Sequence, residues 1–396
     1  MKKMWPICSF NNYRLVGWRN GWLCFITLFL LGNFGSTIES QEIDVWVGTG
    51  QNGIYHTILN TEKGLLSQPR LVSDLKGAGF LALHPSQDVL YATSREQAGG
   101  VTAFAVVSDK GSSAGQSGPL LKQLGTLPTG DGGAACVAVD KTGSVLATAQ
   151  YGGGSVSTYL LKEQGDLERR VETIEHGEGS NVHPKRQVSA HPHWVGTSPD
   201  NRFLMVPDLG MDRVFVYGLD PVTGELELKS KVPVPPGSGP RHMKFHPSGD
   251  YVFVLNELTL TLSVFQYDPS TAAMVARDVV ATLPSTLKDK HLNSAAEIRV
   301  HPNGRFVYAS NRGHDSITVF SFDANTGGLN LIERESIRGA WPRNFNIDPT
   351  GKWLLAAGQR SNTLALFEID QATGALVFTR QLVNMPGPIC VLFQSE

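Results

Sequence analysis

Cysteine is nearly missing from this chain: there are four in 396 residues, with no CxxC pair and no Cys/His cluster. That excludes the spacing patterns of structural zinc and dithiol redox centres, so the chemistry is expected to run without metal or cofactor. A charge excess of one sign is missing too. Lys and Arg number 34 against 36 Asp and Glu, a formal net charge of −2 without long blocks of either sign. Nucleic acid is therefore not an expected partner. Helical periodicity is almost absent, which argues against long helices. The apolar run GWLCFITLFLL at 21–31 is only eleven residues long, too short to span a bilayer core of roughly 30 Å comfortably.

That run fits the apolar centre of a secretory leader instead. Lys2, Lys3, Arg14 and Arg19 precede it, and the small residues Gly32, Gly35, Ser36 and Thr37 follow. Residues 1–40 are read as a signal peptide or N-terminal anchor and 41–396 as the functional domain, exported to the periplasm or beyond. Cleavage is expected near Thr37 or Ser40. Cys24 lies inside the run and not at its end, which argues against a lipoprotein anchor. Any membrane contact is expected only through this segment, if it stays uncleaved. Cys8 and Cys24 belong to the leader; Cys136 and Cys390 sit in the strand-like AACVAV and PICVLF and read as buried free thiols.

What the chain has in quantity is turn residues, with 42 Gly and 22 Pro. One series of turns runs LHPSQD (from Leu83), VDKTGS (Val139), SPDNR (Ser198), HPSGD (His246), HPNGR (His301) and DPTGK (Asp348). Their spacing of roughly fifty residues belongs to propeller blades rather than helical solenoids. A second series falls between them: LNTEKGLL, LKEQGDL, LDPVTGEL, YDPSTAAM, FDANTGGL and IDQATGAL. Alternating strands such as RVFVYGL, TLSVFQY, SITVFSF and TLALFEI flank these turns, as hairpins require. The expected fold is an all-β seven-bladed β-propeller of four-stranded antiparallel blades. IDQATGALVFTR and GPICVLF are expected to join DVWVGTG and GIYHTIL in the blade that closes the ring, which removes open edges. The tract SDKGSSAGQSGP at 108–119 reads as a polar loop, and NVHPKRQVSAHP as a longer connector on the face that carries the site. Nothing demands more than a monomer.

In a four-stranded meander the start of the first strand and the loop after the second lie on one face. The openings HPH, GPRH and WPRN thus share a face with the loops AQYGGG, NEL, SNRG and GQRS. If first strands line the axis, His193, Arg241, Glu257, Arg312, Arg343 and Arg360 gather at one channel mouth. Arginines bind carboxylate or phosphate in bidentate fashion, and Glu or His can serve as a base toward water. An unpaired carboxylate at the apolar strand end VFVLNEL would be costly, which marks Glu257. Asp212, Arg213 and Asp315 read as residues that set the start of the third strand. His84, His246 and His301, each before a proline, read as turn residues.

QYGGGSVSTY, HPHWVGTSPDNRFLMVPDLGMDRVFVY, GPRHMKFHPSGDYVFVLNEL, AEIRVHPNGRFVYASNRGHDSITVF and PRNFNIDPTGKWLLAAGQRSNTLALFEID resemble the lactonase family of seven-bladed propellers, which includes 6-phosphogluconolactonases and carboxymuconate cyclases. The likeness is specific from Ala149 onward and loose over 45–147. It implies a catalytic set of His193, Arg241, Glu257 and Arg312, with His191, His242, Asn311, Arg343 and Arg360 as candidate substrate-binding residues. The implied activity is hydrolysis of a sugar lactone, with Glu257 or His193 activating water. The alternatives are a carboxymuconate cyclase-type lyase and a non-catalytic exported propeller that binds glycan or protein. Two features depart from the family pattern: the leader, and Trp194 directly after His193.

Overall fold

A computed structural model of the chain describes residues 42–94, 99–109, 118–288 and 293–394; the segment 1–40, expected to be a signal peptide or anchor, lies outside the described residues. Seven antiparallel sheets are arranged as blades, and the described helix amounts to one turn at Ser285–Lys288. A representative blade runs Pro240–Phe245, Tyr251–Asn256, Thr261–Asp268 and Ala273–Ala281, each strand pairing with the next. The short first strands of successive blades pack side by side around an axis, which makes them the lining of a central channel. The second strands are almost wholly buried, as in Phe203–Asp208 and Trp353–Gly358. Strands buried on both faces read as continuous apolar runs, and these do.

The ring closes through its two ends. Cys390–Phe393 pairs antiparallel with Glu42–Gly48, which pairs in turn with Asn52–Asn60. Trp46 Nε1 donates to Gln394 Oε1 at 2.9 Å across this seam. The C-terminal share of the closing blade is smaller than the sequence suggested. IDQATGAL connects Thr363–Ile369 to Leu376–Asn384 within the preceding blade, in the register Ile369 to Leu376, because it is the outer hairpin of that blade's own meander. The loop expected at 108–119 is also shorter: Gly100–Asp109 and Gly118–Pro128 pair out to Asp109 and Gly118.

The two turn series do different work. His84, His246 and His301 each place Nε2 against the carbonyl of the corresponding turn glycine in the next blade, Gly143, Gly304 and Gly351, at 3.1, 3.0 and 2.7 Å. These turns are blade-to-blade links. At the start of four third strands, Asp212, Leu260, Asp315 and Asn362 adopt φ of 53°, 54°, 57° and 56°. This left-handed conformation is readily tolerated by Asp and Asn, and each of the four carbonyls accepts from the end of its blade's fourth strand, at Val234, Thr282, Ile337 and Met385.

Candidate active site

The first strands carry bulges where they enter the channel. Pro240 pairs with Asn256 and His242 with Leu255, so Arg241 is an extra residue; in the same way Arg343 is extra between Pro342 and Asn344. Similar register shifts occur at Ala135 and at Ala296–Glu297. A bulge re-aims a side chain that strict alternation would turn away. Here it lets Arg241 and His242, neighbours in sequence, both serve the site.

Glu257 follows the second strand of the same blade and is buried at the mouth. Its Oε1 accepts from Arg186 Nη2 at 2.7 Å, and its Oε2 lies 2.9 Å from Arg241 Nε and 3.0 Å from Arg312 Nη2. Burial alone would raise the pKa of this carboxyl. The guanidiniums of Arg312, Arg241 and Arg186 outweigh it and hold the group well below the usual carboxylate range. Arg241, buried and beside Arg312, is itself pushed down to about 10. Backbone carbonyls share the arginines: Arg241 Nη1 donates to Ala296 O, and Arg312 Nη2 to Ala295 O at 2.9 Å.

Below this cluster the channel holds imidazoles. His193 donates its backbone N–H to Pro207 O at 3.1 Å, and its buried Nδ1 has no hydrogen-bond partner among the described residues. Burial, then the charges of Arg241 and Arg343, keep its pKa well below the ordinary imidazole value, so the ring is neutral. His242 is pushed down to about 3 by burial and Arg241. Its Nε2 lies 2.9 Å from Arg241 Nη1 and its Nδ1 3.2 Å from Glu297 Oε1. That arrangement suits a neutral ring that accepts from the arginine and turns its N–H to the carboxylate. Glu297 also takes Asn344 Nδ2 and lies 3.4 Å from Arg299 Nη1. Trp194 is absorbed into the core, with Lys244 Nζ 4.9 Å from its ring.

A hollow of about 450 Å³ opens over these groups, lined in part by Tyr151, Arg186, His193, Glu257, Arg312 and Arg343. A side cavity of about 10 Å³ touches His193, Arg241 and Arg343, room for about one water. Of the residues expected from sequence, His193, Glu257, Arg312 and Arg343 line the hollow and Arg241 lies directly beneath. His242 supports Arg241. His191 Nδ1–H donates to the Tyr151 carbonyl, 2.7 Å away, and the ring stacks on that of Tyr151 at 4.4 Å. Asn311 does not reach the hollow: its amide donates to Thr318 Oγ1 at 2.9 Å, as Asn256 does to Ser263 in the preceding blade, because both close the second-to-third strand turn. Arg360 lines an adjoining hollow.

Arg186, Tyr151 and Glu297 were not singled out from sequence. Arg186 arrives on the connector, which Asp212 ties down by accepting from Gln187 Nε2 at 2.7 Å and Ser180 Oγ at 3.0 Å. Tyr151 sits in the AQYGGG loop and accepts from Arg186 at 3.0 Å. Glu297 had a usable signal, a carboxylate inside the strand-like SAAEIRV, close to the signal that marked Glu257.

Three guanidiniums around one carboxylate, a fourth from Arg343 and a buried imidazole thus gather at the mouth of a seven-bladed β-propeller. The chain matches the model of the family described as Lactonase, 7-bladed beta-propeller over residues 44–393 and belongs to that family. It is 35% identical to a 6-phosphogluconolactonase of Bacillus subtilis, over 89% of this chain and 98% of that one. With a 6-phosphogluconolactonase of Formosa agariphila the identity is 32%, covering 75% and 82% of the two chains. A solved structure of a periplasmic gluconolactonase from Pseudomonas aeruginosa superposes with a TM-score of 0.81 at 29% identity, covering 90% of this chain and 99% of that chain.

Proposed function

We propose that this protein hydrolyses a sugar lactone to the open aldonic acid, at the hollow lined by His193, Glu257 and the arginines. The observation that carries the reading is the pairing of a neutral His193, its Nδ1 unpartnered among the described residues, with guanidiniums already held in place. Relatives named as 6-phosphogluconolactonase and gluconolactonase support it.

The geometry divides the labour. A carboxylate held by three guanidiniums is a very weak base, so Glu257 serves to fix Arg186, Arg241 and Arg312. His193 is the better placed base because its ring is neutral and its Nδ1 has no partner among the described residues, whereas both oxygens of Glu257 are taken by guanidiniums. Water beside His193 attacks the ring carbonyl while the imidazole takes its proton. The oxyanion of the tetrahedral intermediate is stabilised by Arg241 and Arg312. Collapse expels the ring oxygen, which takes the proton back from the imidazolium of His193, leaving acid and hydroxyl in balance. Preorganised donors of this kind are worth about 10²–10³ in rate each. Substrate anion bound among the arginines would also offset their charge and raise the basicity of His193.

The basic leader at 1–40 supports export as the setting, in keeping with the periplasmic gluconolactonase it resembles in fold. The test is acid release from 6-phosphogluconolactone and gluconolactone, compared with His193→Ala protein at equal concentration to remove spontaneous opening. Acceleration lost in the variant supports the reading; equal rates with and without enzyme overturn it.

A further inference from the structure

The strand Ser294–Val300 enters the channel through a bulge. Ala295 pairs with Asn311 and Ile298 with Ala309, so Ala296 and Glu297 together stand opposite the single Ser310. Three consecutive residues there each meet a residue of the site. Ala295 O accepts from Arg312 Nη2 at 2.9 Å, Ala296 O accepts from Arg241 Nη1, and Glu297 Oε1 lies 3.2 Å from His242 Nδ1.

Glu297 is wholly buried and lines none of the hollows described above. Its N–H donates to Ser310 Oγ at 3.0 Å, its Oε1 accepts from Ile298 N at 3.0 Å, and its Oε2 accepts from Asn344 Nδ2. Asn344 is fixed in turn, because its Oδ1 accepts from Val391 N at 2.8 Å, in the strand Cys390–Phe393 that seals the ring. Burial alone would raise the pKa of this carboxyl. Arg299, then His242 and Lys244, outweigh it and keep the group ionised.

The hydrogens follow one by one along this chain. A guanidinium only donates, so the 2.9 Å contact between Arg241 Nη1 and His242 Nε2 makes Nε2 the acceptor. The ring is neutral, because burial and Arg241 push it down to about 3, and its proton therefore sits on Nδ1, facing Glu297. With Ala296 O and His242 Nε2 both accepting, Arg241 Nη1 has both hydrogens engaged. The guanidinium is locked in rotation. Its Nη2, without a partner among the described residues, is the nitrogen left for an oxyanion at the small cavity shared with His193.

We propose that Glu297 is a positioning residue for lactone opening, a carboxylate that never meets the substrate and acts through His242 to hold Arg241 in the rotation that stabilises the oxyanion. His242 is then a link and not a substrate contact, and its tautomer is what Glu297 secures. Glu297→Gln keeps the size but turns an N–H₂ toward either Asn344 Nδ2 or the His242 N–H, a donor against a donor. If His242 relieves this by moving its proton to Nε2, it confronts Arg241 instead. The inference rests on the lactone reading for the role of Arg241.

The test compares steady-state kinetics on gluconolactone and 6-phosphogluconolactone for wild type, Glu297→Gln, His242→Ala and the double variant. Glu297→Gln should lower kcat about 10- to 100-fold with KM within about 3-fold, because the misplaced donor acts in the transition state. The double variant should be within about 2-fold of His242→Ala, because the link through which Glu297 acts is already gone. Losses that multiply in the double variant, or a lowered Tm with kcat intact, overturn the positioning role. The imidazole nitrogen shifts of the assigned His242 ring, read by NMR in wild type, need no variant to fold. A protonated Nδ1 and a bare Nε2 are expected at neutral pH, and the opposite tautomer or an imidazolium overturns the inference. A wild type that opens neither lactone while showing the expected tautomer overturns the hydrolytic reading and leaves the linkage from Glu297 to Arg241 standing.

Discussion

Glu257→Gln separates an organising carboxylate from a basic one. The side chain is 4% exposed, and three guanidinium nitrogens stand 2.7, 2.9 and 3.0 Å from its oxygens. Glutamine keeps the shape, removes the charge, and turns an N–H₂ toward at least one guanidinium. Breaking a buried pair by removing one partner costs about 3–5 kcal/mol, with the lower end favoured because Arg186 is 36% exposed and partly screened. At about 2 cal/mol/K per residue, a domain of roughly 350 residues should lose about 4–7 °C in Tm. The pH dependence has a definite sign. The folded pKa of Glu257 is depressed, so its stabilisation is fully present above the unfolded value near ~4.3 and lost as pH falls toward the folded one. The Tm gap between wild type and variant should therefore be constant from about pH 8 to pH 5 and narrow only below about pH 4. Thermal unfolding followed by circular dichroism at several pH values reads this directly, and added sulfate should recover part of the loss by supplying a counter-ion to the arginines. An unchanged Tm at pH 7 would refute the organising role and return Glu257 to the candidates for general base.

His193→Ala should lower kcat by about 10²–10⁴ and, because the buried ring packs edge-on against Tyr151 and His242, also lower Tm modestly; His193→Gln, which refills more of that space, should keep the loss of rate with less of the loss of Tm, and a rate that recovers along with Tm would assign His193 a structural part. Because the base must be unprotonated and its pKa is depressed, kcat/KM should stay flat down through about pH 6.5 and fall only at lower pH, whereas half-loss at the ordinary imidazole value of ~6.5 would contradict that environment. Asp212→Asn faces an amide toward N–H donors from Gly237 and Gly239 at 2.7 and 2.8 Å, so about 1–3 kcal/mol of stability should go. It should also raise KM more than it lowers kcat, because the connector carrying Arg186 is loosened; steady-state kinetics beside a denaturant titration checks both.

The blades were legible because turn chemistry and period-two alternation are local properties, repeated at every hairpin. Ring closure was legible in outline, but the hairpin at IDQATGAL could be taken for the closing blade because each blade's outer hairpin uses the same turn. In the site, Arg241 and Arg343 were found by their shared Pro-Arg openings. The bulges that turn them inward depend on pairing with the second strand, and no composition announces them. Asn311 was misplaced because a strand-end amide next to Arg312 resembles a site residue, while its partner Thr318 lies across a hairpin. Arg186 contacts a carboxylate 71 residues away from a connector with no strand register, so alternation offered no handle on it.

The seam between Trp46 and Gln394 joins residues 348 apart in the chain. During synthesis the strand Glu42–Gly48 therefore stays without its inner neighbour until Cys390–Phe393 has been made. In that interval its unpaired backbone edge is open to other strands, including those of other chains. Ile389, just before the sealing strand, also borders the hollow lined by Arg360 and the small cavity under His193. A chain cut short before Ile389 would thus lose its clasp and part of the wall of both cavities in one step, so ring closure and cavity shape depend on the same few residues.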